Sequence, residues 1–281
     1  MKRIGTITLM LVLLALAGCA PGPKVPEEVE EVAVCYPYDL GTEVDDGEMT
    51  VMWKTRCNRI ISGYNIYISE KPLTESYPGT EPSPDVLPFN FTPFAGDTDP
   101  SDGVEHFVAQ GLENGVKYHV SVRIVLPDLT LSLPSNEVTA VCGPRGEIEL
   151  SVRYASDRDG YSFAHDQYVR ADNVDNDVYF YHKDGRSYLA SPHRLGGFLR
   201  TSTFEVLLHK GDLSEVKDDI GEGTAMPGQE RVEVTEGDWV WIVTADRCQV
   251  LAKVLSLHGK DDKRRIKLFY AYNPKPGSLV F

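Results

Sequence analysis

Two short acidic stretches hold the residue types that bind hard cations. Asp97-Thr98-Asp99-Pro100-Ser101-Asp102-Gly103 supplies Asp97, Asp99 and Asp102. Asp172-Asn173-Val174-Asp175-Asn176-Asp177 supplies Asp172, Asp175 and Asp177. Each clusters several oxygen ligands in one turn, as a calcium site does, but neither has the spacing of an EF-hand loop. Asp and Asn also build turns by bonding their own backbone. Solvated turns are therefore the simpler expectation and a calcium site the alternative.

A second chemistry comes from aromatic rings. Val178-Tyr179-Phe180-Tyr181, Trp239-Val240-Trp241 and Phe269-Tyr270-Ala271-Tyr272 place large rings on both faces of any strand they form. Rings stack on sugar faces, so a glycan-binding sheet is one reading. Packing against a second sheet is the plainer one. The sequence contains no G-x-x-x-x-G-K-[ST], G-x-S-x-G, H-E-x-x-H or C-x-x-C. No cofactor and no catalytic residue is implied. Acid pairs for glycoside cleavage remain open, because 42 Asp and Glu make chance pairs abundant.

The elements that position these residues show first in the composition and in the opening residues of the chain. Hydrophobic residues are 42% and charged residues 25% of the chain, a folded composition. The net charge of −14, with no basic cluster, argues against nucleic acid. Lys2 and Arg3 precede an uncharged apolar run from Ile4 to Ala17, shorter than the ~20 residues a spanning helix needs. A positive start, an apolar run and small residues at its end are the layout of a secretory signal. Leu16-Ala17-Gly18-Cys19 then resembles a bacterial lipobox. The resemblance implies cleavage before Cys19, lipid on its thiol and amino group, and a membrane partner through that lipid. Ala20, where inner-membrane lipoproteins carry Asp, implies an outer-membrane or surface location.

Residues 1–18 are thus expected to be signal, and 19–34 a lipidated cysteine followed by a tether. Three prolines and then Glu27, Glu28, Glu30 and Glu31 favour an extended spacer reaching roughly 40 Å. From Cys35 the pattern becomes period two. Met49–Trp53, Ile61–Ser69, Lys117–Val125 and Ser135–Val141 alternate as half-buried strands do. Trp53, Tyr64-Asn65-Ile66-Tyr67, Leu112-Glu113-Asn114-Gly115-Val116-Lys117-Tyr118 and Leu133-Pro134-Ser135-Asn136-Glu137-Val138 together resemble a fibronectin type III domain over 35–143. The resemblance implies a β-sandwich in which Tyr118 bonds back to the backbone while its ring fills the core. A proline-rich insert at 70–102 departs from the pattern and is expected to blunt a sheet edge or form a surface loop.

Once Cys19 takes lipid, Cys35, Cys57, Cys142 and Cys248 allow three full pairings. In a sandwich whose first two strands are antiparallel, the start of one lies near the end of the next. That favours Cys35 with Cys57 and leaves Cys142 for Cys248, with buried free thiols the alternative.

Gly143-Pro144-Arg145-Gly146 breaks the pattern, and a second all-β domain of no recognised family is expected over 144–281. Ile148, Leu150, Val152 and Tyr154 alternate with polar residues and predict a one-sided strand. Lys183-Asp184-Gly185 predicts a hairpin between Val178–His182 and Arg186–Ser191. Asp212 and Glu215 have capping-box spacing before a helix predicted over Leu213–Ile220. The fold class expected is all-β: a fibronectin type III-like sandwich followed by a mainly antiparallel β domain with one short helix. The function expected is non-catalytic: an envelope lipoprotein presenting β modules to a protein or glycan partner. The alternatives are a surface hydrolase acting on polysaccharide and a structural subunit of an envelope assembly.

Overall fold

The computed structural model describes residues 34–73, 86–97, 103–207, 211–218, 220, 224–279 and 281. The expected signal, Cys19 and the expected tether up to residue 33 lie outside the described residues. The rest is all-β, built from antiparallel sheets.

Among the described residues, six strands precede Gly143: β1 (Cys35–Asp45), β2 (Glu48–Cys57), β3 (Gly63–Ser69), β4 (Val104–Gln110), β5 (Lys117–Val125) and β6 (Val138–Val141). They form two three-stranded sheets, β1-β2-β4 and β3-β5-β6. Alternation decides what each strand buries. Met49, Val51 and Trp53 of β2 point inward to meet Tyr64 and Ile66 of β3 and Val120, Val122 and Ile124 of β5. The rings of Trp53 and Tyr64 meet edge to face, with centroids 5.1 Å apart. Tyr118 is buried in this core, and its hydroxyl accepts a hydrogen bond from the Glu113 N–H at 2.9 Å.

Part of the proline-rich insert runs beside β3. Phe89 N donates to Ile66 O at 2.7 Å, and Phe94 bridges to Tyr64. Asn90 adds its own amide, accepting from Ile66 N and donating to Tyr64 O. Backbone groups that an edge strand would leave open are thereby satisfied.

Cys35 and Cys57 are directly opposed in the β1–β2 register and are joined as a disulfide. Cys142 and Cys248 are buried free thiols, so the bond expected between them does not form. The reason is packing: Cys142 belongs to the first core and Cys248 to the second. Each has its own acceptor, Glu48 O at 3.3 Å and Pro274 O at 3.2 Å. Burial lifts the Cys142 thiol to about 11, which keeps it protonated and unreactive at neutral pH.

Ten strands follow: β7 (Arg145–Ser151), β8 (Gly160–Ser162), β9 (Gln167–Val169), β10 (Val178–Lys183), β11 (Arg186–Ala190), β12 (Thr203–Leu207), β13 (Arg231–Glu233), β14 (Trp239–Val243), β15 (Gln249–His258) and β16 (Arg265–Asn273). They make two five-stranded sheets, β13-β11-β10-β8-β9 and β12-β14-β15-β16-β7. The inward residues of both sheets, among them Phe180, Leu189, Val240, Val250 and Leu268, share one hydrophobic core. A helix, α1 (Leu213–Asp218), lies on the far side of β14. It ends before Ile220, and the Glu215 N–H donates to the Asp212 carboxylate at 3.1 Å, the cap its spacing predicts.

Residues Val34–Phe281 form one compact unit with separate cores on either side of Gly143. Gly143 N donates to Asp45 O at 3.1 Å, and a Cβ on Gly143 would run into Tyr272 O. Only glycine lets the two backbones pass this closely.

Candidate functional site

Among the described residues the acidic stretches do not converge on a metal-binding cluster. Asp97 accepts from the backbone N–H of His106 and pairs with its ring, 2.8 Å from Nδ1. Asp99 and Asp102 lie outside the described residues. Asp172 pairs with Arg170 at 3.1 Å, and the Asp175 N–H closes a turn on the Asn173 side chain. Asp177 points the other way, into the core, where it accepts from Phe163 N and pairs with Arg200. Among the described residues no group of three or more His, Cys, Asp and Glu is arranged to hold a metal ion. The second stretch is instead a brace for the β8–β10 region. Asn176 accepts from Tyr161 N and Val178 N and donates to Ala171 O. Burial pushes the Asp177 carboxyl up from its ordinary value, and the Arg200 charge opposes that shift.

Most aromatic residues of the three strands are structural. Trp239 and Trp241 are buried beneath α1 and Phe281, with indole N–H groups donating to Gly211 O and the Gln249 side chain. Phe180, Tyr270 and Tyr272 lie in the sandwich core. Tyr161 and Tyr270 both donate to Asp166, which lowers that carboxyl below its ordinary value.

The exception is the outer face of β10 and β11. Alternation sends Tyr179 and Tyr181 away from the core and brings Tyr188 opposite Tyr181 in register. The two rings stack with centroids 4.9 Å apart at 14°. Arg231 of β13 flanks one side, 5.5 Å from the Tyr188 ring, with Nη1 donating to the Tyr181 hydroxyl at 3.1 Å. Arg153 flanks the other, 5.7 Å from Tyr181 and 5.8 Å from Tyr179. Burial raises the Tyr179 hydroxyl above its ordinary value, and the Arg153 charge counters this.

Arg153 also opens onto a groove of about 620 Å³. Its walls are Val152–Ala155, the β10–β11 hairpin at His182–Gly185, and Asp261 with Asp262. The hairpin turn is the one that Asp184-Gly185 predicts, with φ of 53° and 78° at those residues. At the lip stands Tyr154. The alternation through Val152 places it on the inward face, yet it is 60% exposed. The strand ends at Ser151, and the chain turns with Tyr154 at φ 66°.

A left-handed bulky residue is uncommon and needs support from its surroundings. Here the support is Asp159, a buried carboxylate that accepts from Tyr154 N at 2.6 Å and Ala171 N at 2.7 Å. Arg153 N is tied to Phe180 O at 2.8 Å, and its guanidinium lies 5.1 Å from the Tyr154 ring. The outcome is a rigidly held, solvent-facing aromatic ring beside a cation and a groove that offers hydrogen-bonding groups of both signs. Neither Arg153 nor Tyr154 stood out in the sequence. The Asp157-Arg158-Asp159-Gly160 run that follows marks the turn, but not which way the ring goes.

No protein-family model and no curated protein matches the chain. Among solved structures, the family 28 exopolygalacturonase of Yersinia enterocolitica is similar over 45% of this chain and 23% of its own, at 16% identity and a TM-score of 0.26. The chain thus spans about a quarter of that enzyme's length. A superposition at that level carries no argument about fold or activity.

Proposed function

We propose that this chain is a non-catalytic protein of the bacterial cell envelope, anchored by lipid on Cys19, whose second β module binds glycan. Protein contact through the same face is the second mode. The observation that carries the reading is Tyr154: an exposed ring, held in a left-handed conformation by the buried Asp159, at the lip of an open groove. Sites of this kind combine an aromatic platform with a few polar groups that fix orientation. The first module supports a presenting role. Its β1-β2-β4 and β3-β5-β6 sheets, the buried Trp53 and the Tyr118 corner accord with the fibronectin type III-like reading.

A glycan array run with a panel of polysaccharide substrates tests this reading. Binding without turnover, weakened by Tyr154→Ala, is the expected result. Turnover lost on changing Asp184, Asp261 or Asp262 would replace it with a hydrolase. Stable partners recovered from detergent-extracted membranes, with no glycan bound, would replace it with a structural subunit. Lipid labelling that persists in Cys19→Ser would remove the anchor.

A further inference from the structure

Arginine is the informative residue on the outer face of the second module. In that module Arg170, Arg186 and Arg200 each meet a carboxylate. Arg153 and Arg231, like Arg158 over Tyr168, make no ion pair among the described residues and lie against aromatic rings instead. Arg153 and Arg231 both lie against the stacked Tyr181 and Tyr188 pair, so rings and a tyrosine hydroxyl, rather than acids, are their neighbours. The chain carries a net charge of −14, so acids to neutralise them are abundant elsewhere. Arg153 and Arg231, with Lys183 on the hairpin, put positive charge beside the three aspartates of the groove, so a ligand carrying both an anionic group and hydroxyl donors matches this face.

The spacing narrows the class. The Arg153 guanidinium lies 5.1 Å from the exposed Tyr154 ring, on the scale of one sugar ring. A group that stacks on Tyr154 while reaching Arg153 therefore carries its charge directly on a ring. The groove continues with Asp184, Asp261 and Asp262, acceptors suited to hydroxyl donors and unsuited to further anions. A peptide strand would seek a sheet edge, where backbone groups are free. This site lies instead on a sheet face and its hairpin turn.

We propose that the groove takes a carboxylate-bearing glycan, with one sugar ring on Tyr154, its carboxylate on Arg153, and a second acidic sugar of the same strand at Arg231. This rests on the glycan reading above and names its ligand class. Hydroxyls of the intervening sugars donate to the acids of the groove, while the acids keep the carboxylates on the arginine side. Attraction between exposed charges is screened beyond about 10 Å at 0.1 M salt, so binding weakens as salt is added.

The test is calorimetry on the full chain with hexuronate oligosaccharides, their methyl esters, neutral oligosaccharides of equal length, and polyglutamate. The expected result is binding to the hexuronates that falls at least roughly tenfold on esterification, matching the loss of one charge-assisted contact. Arg153→Gln and Tyr154→Ala should each weaken it similarly. Arg231→Gln, at an exposed position whose change leaves the core intact, should weaken long oligomers more than short ones. Equal binding of esters and acids would overturn the carboxylate assignment and leave the glycan reading standing. Equal binding of polyglutamate would overturn the sugar assignment. Binding of neutral oligosaccharides alone would sink this inference, and binding of none of these probes would sink both.

Discussion

Strands β10 and β14 read alike in the sequence, VYFYHK and WVWIV, yet they end in different surroundings. Every residue of β14 is buried: Val240 and Ile242 on the sandwich core, and Trp239, Trp241 and Val243 under α1 and Phe281. In β10 the core side is closed, and on the outer face Tyr179 is buried while Tyr181 is not. Val178 and Phe180 face inward, while Tyr181 stands half-buried between two arginines on the outside. An aromatic run reports that rings are present. Whether those rings become core or surface depends on a third layer, which α1 supplies over β14, whereas over β10 only a small cluster with Ala171 and Leu195 forms and Tyr181 stays half-buried.

The largest effect that would break this contrast is on β14. Trp241→Ala should cost about 3–5 kcal/mol, because it empties a buried volume and strips the partner from the buried Gln249 side chain. Denaturant unfolding followed by tryptophan fluorescence measures it. A loss below about 1 kcal/mol would mean the α1 layer is not a packed core.

Next comes the brace beneath the site. Asp159→Ala leaves the N–H groups of Tyr154 and Ala171 without their acceptor and should cost about 1–3 kcal/mol. Hydrogen exchange at Tyr154 should accelerate, and glycan binding should fall with it. Unchanged exchange would show that the left-handed turn stands without Asp159.

A smaller effect separates core tyrosines from outer ones by pH. Asp166 is held below its ordinary value by the hydroxyls of Tyr161 and Tyr270, so its ionised form stabilises the fold. That contribution is fully present above the unfolded carboxyl value and is lost as pH falls through the lower, folded value. Asp166→Asn should flatten the acid limb of stability measured between pH 5 and pH 2, whereas Tyr181→Phe should leave it unchanged. An acid limb that is the same in Asp166→Asn and the parent would contradict the assignment.

The smallest effect on stability belongs to Tyr154→Ala, within about 0.5 kcal/mol because the ring is exposed. Its readout is glycan affinity. A large loss of stability with intact binding would make Tyr154 a structural residue and remove it from the site.

Much of the architecture was legible from local pattern. Period-two runs located the core strands of both modules, and Asp184-Gly185 located the hairpin. Asp212 with Glu215 located the start of α1, although Ile220, the predicted end, lies outside the helix. Each of these signals acts over a few residues, through side-chain alternation, turn geometry or a single cap. The candidate site was not legible in that way. Tyr154 continued an inward alternation, and only the capture of its N–H by Asp159, five residues away, turned it outward. Arg153 and Arg231 are 78 residues apart in sequence and belong together only because β10, β11 and β13 are neighbours.

The cysteines divide along the same line. Pairing of Cys35 with Cys57 follows from antiparallel adjacency of consecutive strands, a short-range consequence of the sheet pattern. The fate of Cys142 and Cys248 depended on which core enclosed each thiol, and the two cores are distinct. What the amino-acid order determined by itself was the all-β class, the strand runs and the turns, because those arise from steric and hydrogen-bonding preferences between near neighbours. What only the tertiary structure decided was which aromatic face stayed uncovered, which arginines were left without acids and which tyrosine was pushed into solvent. Those outcomes depend on how layers far apart in the chain cover one another.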